Sequence, residues 1–147
     1  EKFRDKSIWP ADIKARARAR SLSAEMHSGF RNLRITMPMS IRNQHPGKGY
    51  TPEVANDIAR IETIWREARR EFGAGGPFLF GSFSAADAMF APVAMRFNTY
   101  HTPLADDTLA YCAAVTASSP VAAWIASAKL ETEFVEHAEP YATAPAN

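Results

Sequence analysis

Hydrophobic positions along this chain recur at helical spacing, and nowhere do they alternate as a half-buried strand requires. The sharpest pattern runs Val54, Ile58, Ile61, Trp65, Ala68 and Phe72. Thr51-Pro52-Glu53 opens it with a capping hydroxyl, a proline at the first helical position and an acid in the first turn. Gly73 closes it and is expected to adopt a left-handed cap. Leu22, Met26, Gly29, Phe30, Leu33 and Met37 make a second stripe. No proline and only one glycine fall between Ile13 and Thr36, which predicts one long amphipathic helix ended by Pro38. Two such helices joined by a loop make an antiparallel hairpin, the frame of a helical bundle.

The stretch from Gly75 to Val93 organises the rest. A glycine-broken loop carrying Phe78, Leu79, Phe80 and Phe83 leads to Ser84, whose hydroxyl suits a helix N-cap. Asp87, three residues on, can reach back to the Ser84 backbone N–H and also suits the positive end of the helix dipole. Phe83 stands where a hydrophobic staple begins, although its partner position, Ala88, is small. Ala85 to Phe97 is apolar almost all round, the mark of a helix buried on most sides. Pro92 lies inside it and predicts a kink, not a break.

Met39 to Tyr50, with His45-Pro46-Gly47-Lys48-Gly49, reads as a loop. The plain expectation is a mobile surface loop; its length also suits the rim of a cleft. Asp106-Asp107 opens a further helix carrying Leu109, Tyr111, Cys112 and Val115. Ser119-Pro120 opens another, with Val121, Trp124, Ile125 and Ala128 inward. Periodicity is lost from Phe134 onward, and the last residues are expected to be loosely held. The fold class is therefore all-α, a bundle of about five to seven helices. Residues 1–12 read as a linker, 13–140 as the bundle and 141–147 as a loose tail.

A chain of 147 residues with 46% hydrophobic content has room for a core. The formal net charge of +1 gives no global field toward nucleic acid or an anionic membrane. Lys14, Arg16, Arg18 and Arg20 do alternate with alanines, but alternate helical residues lie on two faces. That arrangement suits a solvated face or a helix paired with a partner subunit. The single cysteine, Cys112, excludes an intrachain disulfide and reads as a small core residue. No apolar run is long enough to span a bilayer and no signal-peptide core is visible, so the expectation is a soluble, cytoplasmic protein.

Motifs for covalent, phosphate or thiol–disulfide chemistry do not occur. Glu25 and His27, and Glu133 and His137, have the wrong spacing for a di-iron bundle. No catalytic residue, metal ligand or bound cofactor is expected of this chain.

Gly81-x-x-Ser84-x-Ala86-Asp87, with Pro92 beyond, resembles the capping-box region of the central helix in the C-terminal domain of cytosolic glutathione S-transferases. In that family the motif nucleates folding and is not catalytic. Ile8-Trp9-Pro10 is similar to the linker that follows the thioredoxin-like domain. Ala24 to Phe30, Ala-Glu-Met-His-Ser-Gly-Phe, is similar to a bacterial subgroup. The opening Glu1-Lys2-Phe3 reads as the tail of a helix already under way, so the expectation is the C-terminal part of a longer protein, with the thioredoxin-like domain absent.

The resemblance implies that glutathione, as co-substrate, binds mainly to that other domain, which also supplies the Ser, Tyr or Cys that activates the thiol. It implies that Met26, His27, Phe30, Arg34 and Met37 wall a pocket for an apolar electrophile, with Arg96 and Tyr100 as a second wall. It also implies a homodimer. The plainer readings are an interfacial His27, and an Arg96 in a salt bridge with Glu62 or Asp106. Without the other domain, apolar surface near Trp9, Phe30 and Met37 should be uncovered. The alternative function is a non-catalytic helical module that binds a protein or a ligand.

Overall fold

The computed structural model describes residues 6–143. Six helices follow one another: α1 (Ile13–Ser28), α2 (Arg31–Thr36), α3 (Pro52–Phe72), α4 (Ala85–Tyr100), α5 (Asp106–Ala117) and α6 (Ser119–Lys129). A 3-10 turn at Glu136–Ala138 follows. The fold is all-α, and the described residues form no strand beyond an isolated bridge between Phe78 and Gly81.

α4 is the axis. Ten of its residues are buried, on all sides, and α1 and α5 both pack against it. Trp65 of α3 meets this helix edge-on, with ring centroids 5.6 Å from Phe90 and 5.8 Å from Phe97. It also lies 4.5 Å from Tyr111 of α5. Each large side chain closed into that cluster contributes about 1.5–3 kcal/mol. The helix runs through Pro92 without a break. α1 and α3 run antiparallel, as the ion pairs Arg18–Glu67 and Glu25–Arg60 show by their opposite order. These pairs are half exposed and add little stability.

The start of α4 is fixed by Asp87, which is 0% exposed. Its carboxylate accepts the Ser84 N–H at 2.8 Å and the Ser84 hydroxyl at 3.0 Å on one oxygen. The other oxygen accepts the Leu79 N–H and the Tyr111 hydroxyl, each at 3.0 Å. One side chain thus joins the aromatic loop, the helix start and α5. A buried carboxylate without a cation is tolerable here because four donors and the helix N-terminus face it.

Three expectations are corrected. The stretch from Ile13 to Thr36 is two helices. α1 ends at Gly29, where a Cβ would stand 2.7 Å from the Glu25 carbonyl oxygen. Phe30 then takes the left-handed conformation (φ 58°), and its burial offsets the strain. The first free N–H groups of α2 find a cap from another helix, with the Asp57 carboxylate accepting the Leu33 N–H at 2.9 Å. Secondly, Gly73 is not left-handed (φ −82°); Gly75 and Gly81 of the following loop are.

Thirdly, the expected mobile loop is tied down. The His45 and Gly47 N–H groups donate to the last carbonyls of α4, Thr99 and Tyr100, at 2.8 and 2.9 Å. At Gly49 (φ 68°) the backbone lies so close to the Thr36 carbonyl that a Cβ would come within 2.0 Å of its oxygen. This segment therefore satisfies the C-terminus of α4, which a buried helix end requires. The segment after α6 is held too. Arg42 donates to the carbonyls of Glu131 and Glu133 and pairs with Glu139 at 2.9 Å. Tyr141, first residue of the expected loose tail, donates to the Thr36 carbonyl at 2.8 Å. Residues 144–147 and 1–5 lie outside the described residues.

No helix among the described residues is long and apolar enough to cross a membrane. α5 and α6 meet that test only as a pair, bent by 74° where they join.

Candidate functional site

The residues expected to wall a pocket converge where α1 ends, α2 turns away and the last turns of α4 pass beneath. They play different parts. Met26, Phe30 and Met37 are folded into the core, at 5%, 8% and 1% exposure. They present almost no surface of their own, although Ile35 and Met39, on either side of Met37 in the sequence, are exposed at 56% and 37%. His27 is exposed, and its carbonyl is an acceptor for Arg34.

Arg34 closes the end of α1. Its guanidinium donates to the carbonyls of Met26, His27 (3.0 Å) and Gly29 (3.1 Å) and touches the Met26 sulfur. A cation at a helix C-terminus is favourable through the dipole. Arg96 comes up from α4. Its Nε donates to the Met37 carbonyl at 2.9 Å and its Nη1 to Pro92 at 3.1 Å. It makes no salt bridge with Glu62 or Asp106. Those acids serve elsewhere or not at all: Glu62 accepts the Ala105 N–H. Burial, with the like charge of Arg34 second, lowers Arg96 to about 10. Tyr100, one turn on, donates to the Pro38 carbonyl at 2.8 Å, and burial pushes its hydroxyl up to about 12. Arg96 and Tyr100 therefore hold the exit of α2 against α4.

A groove of about 420 Å³, which the sequence did not reveal, is lined by none of those seven residues. Met39, Ile41, Trp124, Ala128 and Val135 line it, and Arg42 and Glu139 cross one end. Its signal was faint: Met39 and Ile41 sit in a loop, and the segment that covers them has no periodicity. A second groove, about 400 Å³, separates the segment before α1 from the α3–α4 connection, between Trp9, Phe72, Phe80 and Phe83. Trp9 there is partly buried and lies under the Arg20 guanidinium.

Few of the described residues could activate a thiol. Cys112 is buried, and burial followed by the charge of Glu62 pushes it up to about 12. Tyr111 is committed to Asp87, and burial drives it well above its ordinary range. Arg34, Arg96 and Tyr100 each donate to backbone carbonyls, and the two grooves are lined by other residues.

The family model described as glutathione S-transferase, C-terminal domain, matches residues 51–127, from the cap of α3 to the body of α6. The chain belongs to the glutathione S-transferase C-terminal domain family. No curated protein matches the chain. In this glutathione S-transferase C-terminal domain, the Ser84–Asp87 pair, Arg96 and Tyr100 fall inside the matched span. Met26 to Met37, Arg42 and the segment after α6 fall outside it.

Proposed function

We propose that this domain forms the electrophile pocket and part of the dimer contact of a glutathione S-transferase-like enzyme, while another domain binds glutathione and lowers its thiol pKa. The family match carries the reading. The chemistry of the described residues supports the division of labour. The two most buried phenols already donate to other acceptors and the thiol is buried, so none of the three is free to donate to a glutathione thiolate. The contribution of this half is to hold an apolar electrophile within reach, which acts through positioning. Met26, Phe30 and Met37 would back the pocket, with His27, Arg34, Arg96 and Tyr100 at its polar edge. The Ser84–Asp87 pair would serve folding, not catalysis.

The test is conjugation by the intact protein. It should be retained on immobilised glutathione and should transfer glutathione to 1-chloro-2,4-dinitrobenzene, while this chain alone does neither. An intact protein that is a stable dimer but fails both would instead support a non-catalytic helical binding module.

A further inference from the structure

The groove of about 420 Å³ along α6 takes no part in the transferase reading. Its apolar lining comes from three separate stretches: Met39 and Ile41, Trp124 and Ala128 of α6, and Val135. Trp124 packs partly against the core and keeps part of its surface open. The charges around this lining do not balance. Glu131, Glu133 and Glu139 line the groove against a single cation, Arg42. Arg42 pairs with Glu139 at 2.9 Å, and Asn43 donates to the second oxygen of that carboxylate, so Glu139 is satisfied. Arg42 also donates to the backbone carbonyls of Glu131 and Glu133, not to their carboxylates. Among the described residues, the Glu131 carboxylate accepts only the Thr132 and Glu133 N–H groups, and the exposed Glu133 carboxylate meets no donor. Two carboxylates thus stand at the groove without a cation, on a chain whose formal net charge is +1. The negative field there is local and does not follow from composition.

Solvated surface carboxylates are ordinary, and acids alone define no site. What singles these out is the apolar space beside them, with an indole in its lining and a volume in the range of small-molecule sites. An aromatic ring together with carboxylates recognises an organic ammonium: the ring attracts the cation and packs on its hydrocarbon, and the acids supply the countercharge. We propose that this groove binds a small organic cation, an ammonium on an aryl or alkyl body, with Trp124 and the apolar lining taking the body and Glu131 and Glu133 supplying the countercharge. Trp124 and Ser127 apart, the lining falls outside the span of the family match, and the proposal stands independently of the transferase reading. A ligand bound there touches both α6 and the segment that Arg42 holds, so it ties that segment to the bundle.

Three probes with one shared body test it: 4-phenylbutylammonium, 4-phenylbutanol and 4-phenylbutyrate, each titrated into this chain at neutral pH and low salt. The ammonium should bind about tenfold more tightly than the alcohol, and the carboxylate most weakly. The preference should shrink as salt is added. The Trp124 indole N–H resonance, assigned by its loss in Trp124→Phe, should move on binding, and amide exchange over residues 132–139 should slow. Glu133→Gln alters an exposed side chain without a hydrogen bond among the described residues, so the variant should fold. It should lower the ammonium-over-alcohol ratio about threefold. Glu67→Gln, which removes a carboxylate paired with Arg18 on the α1–α3 face, should leave the ratio unchanged. Three probes that bind alike, or none that binds, would overturn the proposal. So would an ammonium preference that Glu133→Gln and Glu131→Gln both retain in full, or one that leaves the Trp124 resonance unmoved.

Discussion

The Tyr111 hydroxyl donates to the Asp87 carboxylate at 3.0 Å, which binds α5 to the first turn of α4 through a fully buried pair. The same carboxylate serves the Ser84 and Leu79 N–H groups, so its loss strands several donors at once. Asp87→Ala should therefore cost more than about 3 kcal/mol, because each buried orphan costs about 1–3 kcal/mol. Ser84→Ala should cost about 1 kcal/mol. Tyr111→Phe should fall between the two. Urea unfolding checks the order; equal losses for Asp87→Ala and Ser84→Ala would show that the carboxylate is merely a cap.

Alkali should destabilise the domain. Burial holds Cys112 and Tyr100 up at about 12, and Tyr111 lies well above its ordinary range. Unfolded, these groups titrate near roughly 8.5 and 10. The folded state therefore keeps protons that the unfolded chain releases, and stability is complete below the unfolded values and falls as pH rises from about 9 toward 12. Melting temperature against pH should show this fall. At pH 8, Cys112 should react with an aromatic disulfide reagent only as fast as the protein unfolds; immediate labelling would contradict its burial.

The segment after α6 should be released by one substitution. Arg42→Ala removes its hold on Glu131, Glu133 and Glu139. Amide exchange over residues 132–142 should accelerate while α3 and α4 are unchanged, with a global loss of about 1–2 kcal/mol. Unchanged exchange in that segment would mean Tyr141 and its contacts suffice.

What the sequence made legible was local. Thr51-Pro52-Glu53 and Ser84-x-x-Asp87 carry their own start signals, and α3 and α4 begin where those signals stand. What it concealed depended on distant partners. The stripe from Met26 through Phe30 and Leu33 to Met37 keeps helical spacing across the break, because the buried faces of α1 and α2 point the same way. The cap that permits the break, Asp57, lies 24 residues from the N–H it satisfies. The loop holding His45 and Gly47 looked free because its partners are the carbonyls of Thr99 and Tyr100, which no residue type announces. For the candidate site, the sequence picked out Arg34, Arg96 and Tyr100 but not that backbone carbonyls would be their partners. It also passed over Arg42 and Tyr141, which hold the segment after α6.

In the proposed division of labour this chain positions an electrophile and another domain binds glutathione. A calorimetric titration of glutathione into the isolated chain tests it directly. No heat of binding is predicted up to millimolar glutathione, because the proposed division of labour assigns the glutathione site to the other domain. A micromolar dissociation constant would contradict that division of labour.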